Sequence, residues 1–548
     1  MGKTLSALLI PAALLLALPA GCGGGREDGG EVPVRQEAAG GPVAGDRVIR
    51  GSIGDASTLL PVIASDSASF DIADLVYNGL VRYDKDLTIE GDLAESWEIS
   101  PDGLEITFHI RRGVTWHDGS PFTAEDVRFT YELLVDPSTP TAYAEDFRQV
   151  RELTVLDPYT VHVTYDQPFA PALISWGMYM MPRHLLEGQD LTTSPLARRP
   201  VGTGPYRLRE WKTGEKIVLE AFEGYWEGRP YVDGQVYRII PDTPTMFLEL
   251  RAGNVDWMGL EPIQYTRQTD TAAFRENFRK FRYLDFRYTY LGFNLENPKF
   301  RDRRVRQAIA YAIDKQELVD IVLMGLGQPV SGHYRPGTWV YNREVRHYSH
   351  DPGKALDLLA EAGWKDGDGD GWLDREGERF AFTVITNQGN KRRSRSAEII
   401  QGRLKAIGID VSIRIVEWAA FLKDFVRPRN FEALILGWQT TPDPDAYDIW
   451  HSSKTGPDEL NHVSFRNAEV DALLEAGRRT FDREERRKAY FRVQEILAEE
   501  QPYVFLFAPD SLPIVHARFR GIEIGARGIT APNLIRWWVP RGEQRYTP

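Results

Sequence analysis

The fold of this chain is decided by the stretch Leu93-Ala-Glu-Ser-Trp-Glu98, together with Phe108-His-Ile-Arg-Arg-Gly-Val-Thr-Trp-His-Asp-Gly-Ser-Pro-Phe-Thr-Ala-Glu-Asp-Val127 a little further on. Between the two segments, Pro101-Asp102-Gly103 is a turn signal. Apolar and polar residues then alternate from Leu104 to Ile110, which predicts a strand with one buried face. Thr123 caps a following helix, and Asp126 reaches back to it. The stretch therefore predicts a strand followed by a helix.

Toward the C-terminus the same mixture of elements continues. Further strands are predicted at 160–165 and 216–222, and the apolar spacing from Val305 to Ile313 predicts a helix. Asp314 and Glu317 form a capping box that opens a second helix. A later amphipathic helix runs from Ser396 to Gly408, and alternating residues after it predict a strand. A helix that leads directly into a strand is typical of a layered α/β lobe, so the predicted fold class is α/β.

The first residues predict export. Lys3 is followed by an apolar run from Leu5 to Leu18 and by Pro19-Ala20-Gly21 directly before Cys22, the single cysteine among 548 residues. This layout is typical of a secretory signal peptide over 1–21, and a cysteine in that position predicts lipidation. An ordinary signal peptide with an incidental cysteine is the alternative, and it also predicts export. The Gly-rich, charged segment 22–46 predicts a flexible tether. We therefore expect an extracytoplasmic, membrane-anchored lipoprotein, in a periplasm or on the outer face of the cell membrane.

Composition narrows the class of partner. The net charge of −13 argues against nucleic acid or an anionic lipid surface as the natural partner. Fourteen Trp and twenty-three Tyr are plentiful, and such residues often line solute clefts, because they combine apolar area with a polar group.

The quoted stretch resembles the signature of the family 5 extracellular solute-binding proteins, which are the oligopeptide, dipeptide and nickel receptors. The similarity covers nearly the whole mature chain. It continues through Gly202-Thr-Gly-Pro-Tyr206, Tyr225-Trp226, Arg304-Val-Arg-Gln-Ala-Ile-Ala-Tyr-Ala-Ile-Asp314, Gly437-Trp438, Pro442-Asp-Pro-Asp445 and the segment 467–474.

The resemblance implies a monomeric receptor with two lobes, which closes on a solute and delivers it to the membrane subunits of an ABC importer. Lobe one is expected over 47–293, with an inserted subdomain at about 80–180, and lobe two over 294–509. The chain is expected to return to lobe one at 510–548. The two hinge crossings are expected near 284–294 and 505–514.

The segment Gly437-Trp-Gln-Thr-Thr-Pro-Asp-Pro-Asp-Ala-Tyr447 follows a predicted strand, which is the usual position of a ligand loop in an α/β lobe. In peptide receptors of the family, a carboxylate three residues after this Trp binds the terminal ammonium of the ligand. Thr441 occupies that position here. The loop therefore predicts a site made of Trp438, Asp443, Asp445 and Tyr447, with a rigid turn that caps the next helix as the alternative.

A second acidic loop, Asp366-Gly-Asp-Gly-Asp-Gly-Trp-Leu-Asp374, matches several positions of a calcium-binding loop. Asp366, Asp368, Asp370 and Asp374 are the candidate ligands, whereas the twelfth position, which is normally a bidentate Glu, is Gly377. A solvated acidic turn is the alternative. No other cofactor is expected.

Two further interpretations stay open. One is a secreted hydrolase that acts on peptide or glycan, based on the abundant Trp and the neighbouring Asp443 and Asp445. Two carboxylates in one turn lack the separate environments that acid and base catalysis requires, so we expect no enzyme. The other interpretation is a receptor of the same fold for an oligosaccharide or a nickel chelate.

Overall fold

The structure is a computed structural model that describes residues 41–546. The predicted signal peptide, the lipidation site at Cys22 and most of the predicted tether lie outside the described residues. None of the helices between residues 41 and 546 combines the length and the apolar character that a membrane span requires.

The strands of the described chain are, in order, β1 (Arg47–Ser52), β2 (Val81–Tyr83), β3 (Ile89–Gly91), β4 (Ala94–Ile99), β5 (Glu105–Ile110), β6 (Val150–Asp157), β7 (Thr160–Tyr165), β8 (Tyr206–Lys212), β9 (Lys216–Ala221), β10 (Gly234–Ile239), β11 (Trp257–Gly259), β12 (Phe278–Lys280), β13 (Tyr283–Leu284), β14 (Arg287–Phe293), β15 (Gly327–Pro329), β16 (Asp374–Arg375), β17 (Glu378–Arg379), β18 (Ala381–Asn387), β19 (Asp410–Val416), β20 (Ala433–Gln439), β21 (Tyr503–Ser511) and β22 (Pro513–His516).

The α-helices are α1 (Ser67–Val76), α2 (Ala124–Val135), α3 (Ala144–Phe147), α4 (Ala172–Ser175), α5 (Arg183–Leu186), α6 (Thr243–Arg251), α7 (Ala272–Asn277), α8 (Arg303–Ala312), α9 (Lys315–Val322), α10 (Pro352–Glu361), α11 (Lys391–Lys405), α12 (Trp418–Ala420), α13 (Tyr447–Trp450), α14 (Ala468–Arg478), α15 (Arg483–Glu500) and α16 (Ala531–Leu534). Short 3-10 turns lie at Pro61–Ile63, Pro195–Ala197, Ser452–Thr455 and Arg541–Glu543, and π turns lie at Gln264–Gln268 and Phe421–Val426.

Two large sheets organise the molecule. We call the body around the sheet β12-β22-β11-β1-β10-β9-β8 lobe one, and the body around the sheet β13-β21-β14-β20-β18-β19 lobe two. The chain passes from lobe one to lobe two between β12 and β13, and it returns between β21 and β22. A four-stranded antiparallel sheet, β4-β5-β7-β6, shares the apolar core of lobe one. The sheet of lobe two thus includes β13 and β14, which the sequence placed at the end of lobe one. The other residue boundaries of the lobes and of the inserted subdomain stay predictions.

Several local predictions are confirmed. β5 and β7 lie where the alternating patterns predicted strands, and the Asp126 carboxylate accepts a hydrogen bond from the Thr123 backbone N–H at 2.9 Å. Asp314 caps α9 by accepting from two backbone N–H groups of its first turn. The Glu317 half of that predicted capping box is wrong, because Glu317 forms an ion pair with Arg403 instead.

Lobe two contains the unit that positions the predicted site. α11 leads into β19, and β19 and β18 run parallel in the sheet, with β20 parallel to β18 on its other side. Apolar side chains cover both faces of the central strands β14, β18, β20 and β21, which are mostly buried, whereas the edge strand β19 is partly exposed along its length. The loop that follows β20 leaves its carboxyl end, which is the edge where ligands bind in open α/β sheets.

Candidate functional site

Trp438 lies at the carboxyl end of β20, opposite Tyr288 of β14. Its indole N–H donates to the hydroxyl of Tyr503 at 3.3 Å, and its ring stacks on His462 with centroids 5.2 Å apart. Thr440, two residues on, donates its backbone N–H to the carbonyl of Phe286 at 2.8 Å. The half-buried indole is therefore held in one orientation at the edge of lobe two.

Asp443 is bound by an arginine of its own lobe. The guanidinium of Arg486, on α15, donates to both carboxylate oxygens of Asp443 at 2.9 to 3.2 Å. Arg486 also donates to the carbonyl of Gly477 at 3.1 Å. The two side chains of the pair are only 10% and 16% exposed, so a ligand ammonium at Asp443 must compete with a nearly buried arginine.

Asp445 takes part in a contact between the lobes. Its carboxylate accepts from the Nε of Arg478 at 2.8 Å, and the same guanidinium also binds Asp146 on α3 of lobe one. The carbonyl of Arg478 accepts from the backbone N–H of Ala170, also in lobe one, at 2.7 Å. Because Arg478 is 3% exposed, this cross-lobe ion cluster is largely shielded from water.

Tyr447 supports this cluster rather than facing outward. Its ring lies 4.1 Å from the Arg478 guanidinium carbon and stacks on His451 with centroids 4.1 Å apart. Its backbone N–H donates to Asp445 at 3.1 Å, as the backbone N–H of Asp445 does to Asp443 at 2.9 Å. The hydrogen-bonded turn that the sequence offered as the alternative is therefore present, although the N-cap of α13 is Ala446, which makes no side-chain capping bond.

A second cross-lobe cluster surrounds Lys454, which is 2% exposed. Its ammonium lies 3.4 Å from Asp448, 3.5 Å from Glu459 and 3.7 Å from Glu145 of lobe one. Burial, opposed by Lys454 and reinforced by Asp146, raises the pKa of Asp448 to about 7. Neither Glu145 nor Lys454 belongs to a sequence motif, so the residue pattern did not indicate either of them.

The lobes also meet on the side of α11. Gly389 adopts a left-handed conformation with φ of 86°, and a Cβ there would overlap the carbonyl oxygen of Pro241 in lobe one. Beside it, Arg392 lies 3.7 Å from Glu261 and Lys391 lies 3.8 Å from Asp242. Glycine is therefore required at this close approach of the two backbones.

A cavity of about 1100 Å³ lies along this side of the molecule. Its apolar wall includes Phe247 and Phe274, which stack with centroids 5.7 Å apart, and its rim includes Arg251, Arg392 and Arg395. None of the predicted site residues lines this cavity.

The acidic loop brings three of its four predicted ligands together. Carboxylate oxygens of Asp366, Asp368 and Asp370 lie within 4.8 Å of one another and are exposed. Asp374 is not part of this group, and its carboxylate accepts from the backbone N–H of Gly367 at 3.0 Å. Asp370 is also paired with Arg379 at 2.8 Å, which lowers the negative charge available to a cation.

Comparison with known proteins agrees with this architecture. The chain is 34% identical over 548 residues to the oligopeptide-binding protein AppA of Bacillus subtilis, with 98% of each protein covered. The structure of AppA in complex with a nonapeptide matches with a TM-score of 0.87 and 33% identity, covering 91% of this chain and all of that one. NikZ of Campylobacter jejuni, in complex with Ni(L-His), matches with a TM-score of 0.82 and 28% identity, covering 90% of this chain and 99% of that one.

The fold and the loop between the lobes define a two-lobed solute-binding protein of the periplasmic binding class. The model of the family described as bacterial extracellular solute-binding proteins, family 5, middle part, matches residues 88–459. This chain belongs to family 5 of the bacterial extracellular solute-binding proteins. The family and these relatives are binding proteins and not enzymes.

Proposed function

We propose that this protein captures peptides outside the cytoplasm for an ABC importer, as a monomer anchored through lipid on Cys22. The observation that carries the proposal is the position of the loop 438–447. It leaves the carboxyl edge of the lobe two sheet and meets lobe one through the ion cluster of Arg478, Asp445 and Asp146. The nonapeptide bound by the B. subtilis relative supports a peptide as cargo.

In this proposal the lobes close around the cargo as hinged bodies. The cross-lobe contacts of Arg478 and Lys454 form only when the lobes meet, so they favour the closed form. A peptide that touches both lobes adds its own differential affinity for that form and shifts the population further toward it. Trp438 covers one side of the peptide, while Asp443, Asp445 and Tyr447 hold the loop in shape.

Native mass spectrometry of protein purified without refolding tests the choice of cargo. A ladder of bound masses that fragment as peptides supports the proposal. A bound nickel complex or an oligosaccharide would replace it with the corresponding receptor. Prolonged incubation should leave the bound peptides intact, whereas progressive cleavage would instead favour the hydrolase.

X-ray scattering in solution tests closure. With a bound peptide, we expect a smaller radius of gyration than in peptide-free protein. Asp146→Asn removes one carboxylate of the cross-lobe cluster and should raise the radius of the peptide-free protein, whereas Asp102→Asn, on an exposed turn, should leave it unchanged. An identical radius with and without verified peptide would exclude closure.

A further inference from the structure

One exposed carboxylate of lobe one has no basic partner in the described part of the chain. Asp74 lies in the last turn of α1, and its side chain is exposed. The hydroxyl of Tyr179 donates to its Oδ1. Among residues 41–546, no Lys, Arg or His nitrogen lies within 4.0 Å of this carboxylate, whereas Asp71, one turn earlier, is paired with Arg50 at 2.8 Å.

Asp74 lies at the C-terminal end of α1, where an unpaired carboxylate is electrostatically unfavourable. The C-terminal end of a helix carries partial negative charge, so an acidic side chain there is destabilising and a cation nearby is stabilising. The last turn of α1 contains no basic residue. A positively charged group at Asp74 would therefore be attracted both by the carboxylate and by the end of the helix.

Aromatic rings cluster around Tyr179, the hydrogen-bond donor to this carboxylate. The ring of Tyr179 lies 6.3 Å from that of Phe70 and 6.3 Å from that of Tyr77, and Phe70 lies 6.3 Å from Tyr143. The buried hydroxyl of Tyr77 has no hydrogen-bond partner within the described part of the chain. A carboxylate among aromatic faces is the combination that recognises organic ammonium groups, because the rings add cation–π attraction to the charge.

The electrostatics agree with an uncompensated carboxylate. Desolvation and the charge of Asp71 raise the pKa of Asp74, while the hydrogen bond from Tyr179 and the more distant Arg527 and Arg50 act in the opposite direction. The pKa of Tyr179 is also raised, first by burial and then by the charge of Asp74. The protein by itself does not fully stabilise the negative charge at this point.

α1 lies beside α3, which contributes Glu145 and Asp146 to the cross-lobe clusters. The ring of Phe70 on α1 is 6.3 Å from that of Tyr143, the residue before α3. Just before α1, Ser65 accepts a hydrogen bond from Arg427 of lobe two at 3.5 Å. α1 therefore lies next to the contacts between the lobes.

From this geometry we infer that Asp74, with Tyr179 and the ring of Phe70, binds a primary ammonium group of the cargo. The inference rests on the proposed function, since it names the part of the peptide that lobe one recognises. It moves the ammonium site from the loop of lobe two, where Asp443 and Asp445 are held by arginines, to lobe one.

The test uses an equimolar pool of lysine-free nonapeptides, prepared once with free and once with acetylated N-termini, and native mass spectrometry of the full chain. Wild-type protein should bind the free pool at least about 30-fold more tightly than the acetylated pool, as expected for loss of a desolvated charge partner. This comparison needs no variant. A third pool, acetylated but containing one lysine, distinguishes the α-ammonium from a side-chain ammonium as the group that is bound.

Asp74→Asn keeps an acceptor for Tyr179 and should lower binding of the free pool to the level of the acetylated one. The control Asp86→Asn neutralises a carboxylate that is 71% exposed and should bind as wild type does. Thermal melts without peptide should show Asp74→Asn at least as stable as wild type, because it removes an uncompensated charge. Equal binding of free and acetylated pools, or wild-type binding by Asp74→Asn, overturns the inference and leaves the proposed function intact. If wild type binds no pool, the proposed peptide function fails, and this inference fails with it.

Discussion

Replacing Asp443 by asparagine separates a carboxylate that shapes the loop from one that touches the cargo. Asparagine keeps an oxygen that can accept from the backbone N–H of Asp445, which is 2.9 Å away, so the turn should survive. The guanidinium of Arg486 loses its counterion and keeps the carbonyl of Gly477 as its acceptor. The main consequence is therefore a nearly buried cation without a charge partner.

The magnitude follows from the burial of the pair. Breaking a buried ion pair by removing one partner costs about 3 to 5 kcal/mol. Arg486 and Asp443 are 10% and 16% exposed, and asparagine still offers one acceptor. We therefore expect the low end, about 3 kcal/mol of unfolding free energy, which is roughly a hundredfold change in the folded-to-unfolded ratio.

Urea unfolding followed by Trp fluorescence measures this loss of stability. An unchanged slope of unfolding free energy against urea concentration shows that wild type and variant expose the same surface on unfolding. Calorimetry with the free nonapeptide pool, at a temperature where the variant is folded, measures binding. We expect a stability loss with affinity within a few-fold of wild type. Arg486→Gln, which removes the other partner, should show the same pattern.

The opposite result would refute the reasoning. A ligand-binding carboxylate should cost about 2 to 5 kcal/mol of binding free energy when it is neutralised. If Asp443→Asn unfolds like wild type and binds peptides at least about 30-fold more weakly, Arg486 does not occupy this carboxylate in the functional protein. The ammonium site would then lie on the loop and not at Asp74.

Three further predictions concern other parts of the chain. Burial raises the pKa of Asp448 from 3.8 to about 7, so between these pH values the folded protein binds more protons than the unfolded chain. The free energy of unfolding should therefore fall as the pH rises through this range. Urea unfolding measured between about pH 5 and about pH 8 should show a shallower fall for Asp448→Asn than for wild type. Cys22→Ser should move the protein from the membrane fraction to the soluble fraction, and a variant that stays with membranes at high salt would contradict lipidation at this residue. Calcium should bind the loop of Asp366, Asp368 and Asp370 only at about 1 mM or weaker, because Gly377 supplies no bidentate carboxylate; calorimetric binding in the micromolar range would contradict this.

Much of the fold could be predicted because its signals are local. The alternation before Ile110 predicted β5, and the pair Thr123 and Asp126 predicted the start of α2. Gly408 adopts the left-handed conformation expected of a glycine that ends a helix, with φ of 80°, before β19 begins. Each of these features depends on backbone preferences within a few residues, so the sequence alone was sufficient.

The position of the loop after β20 was also predictable, whereas the partners of its carboxylates were not. Asp443 pairs with Arg486, which lies 43 residues later in the chain. Arg478 pairs with Asp146, which lies 332 residues earlier. Asp74 and Tyr179, 105 residues apart, belong to no motif. The sequence by itself determined the family, the α/β class and the loop, because these depend on pattern and spacing. Only the tertiary structure decided which carboxylates are neutralised by arginine and which one, Asp74, has no paired cation among the described residues, because the interaction of two charges depends on their separation in space and on their exposure to water.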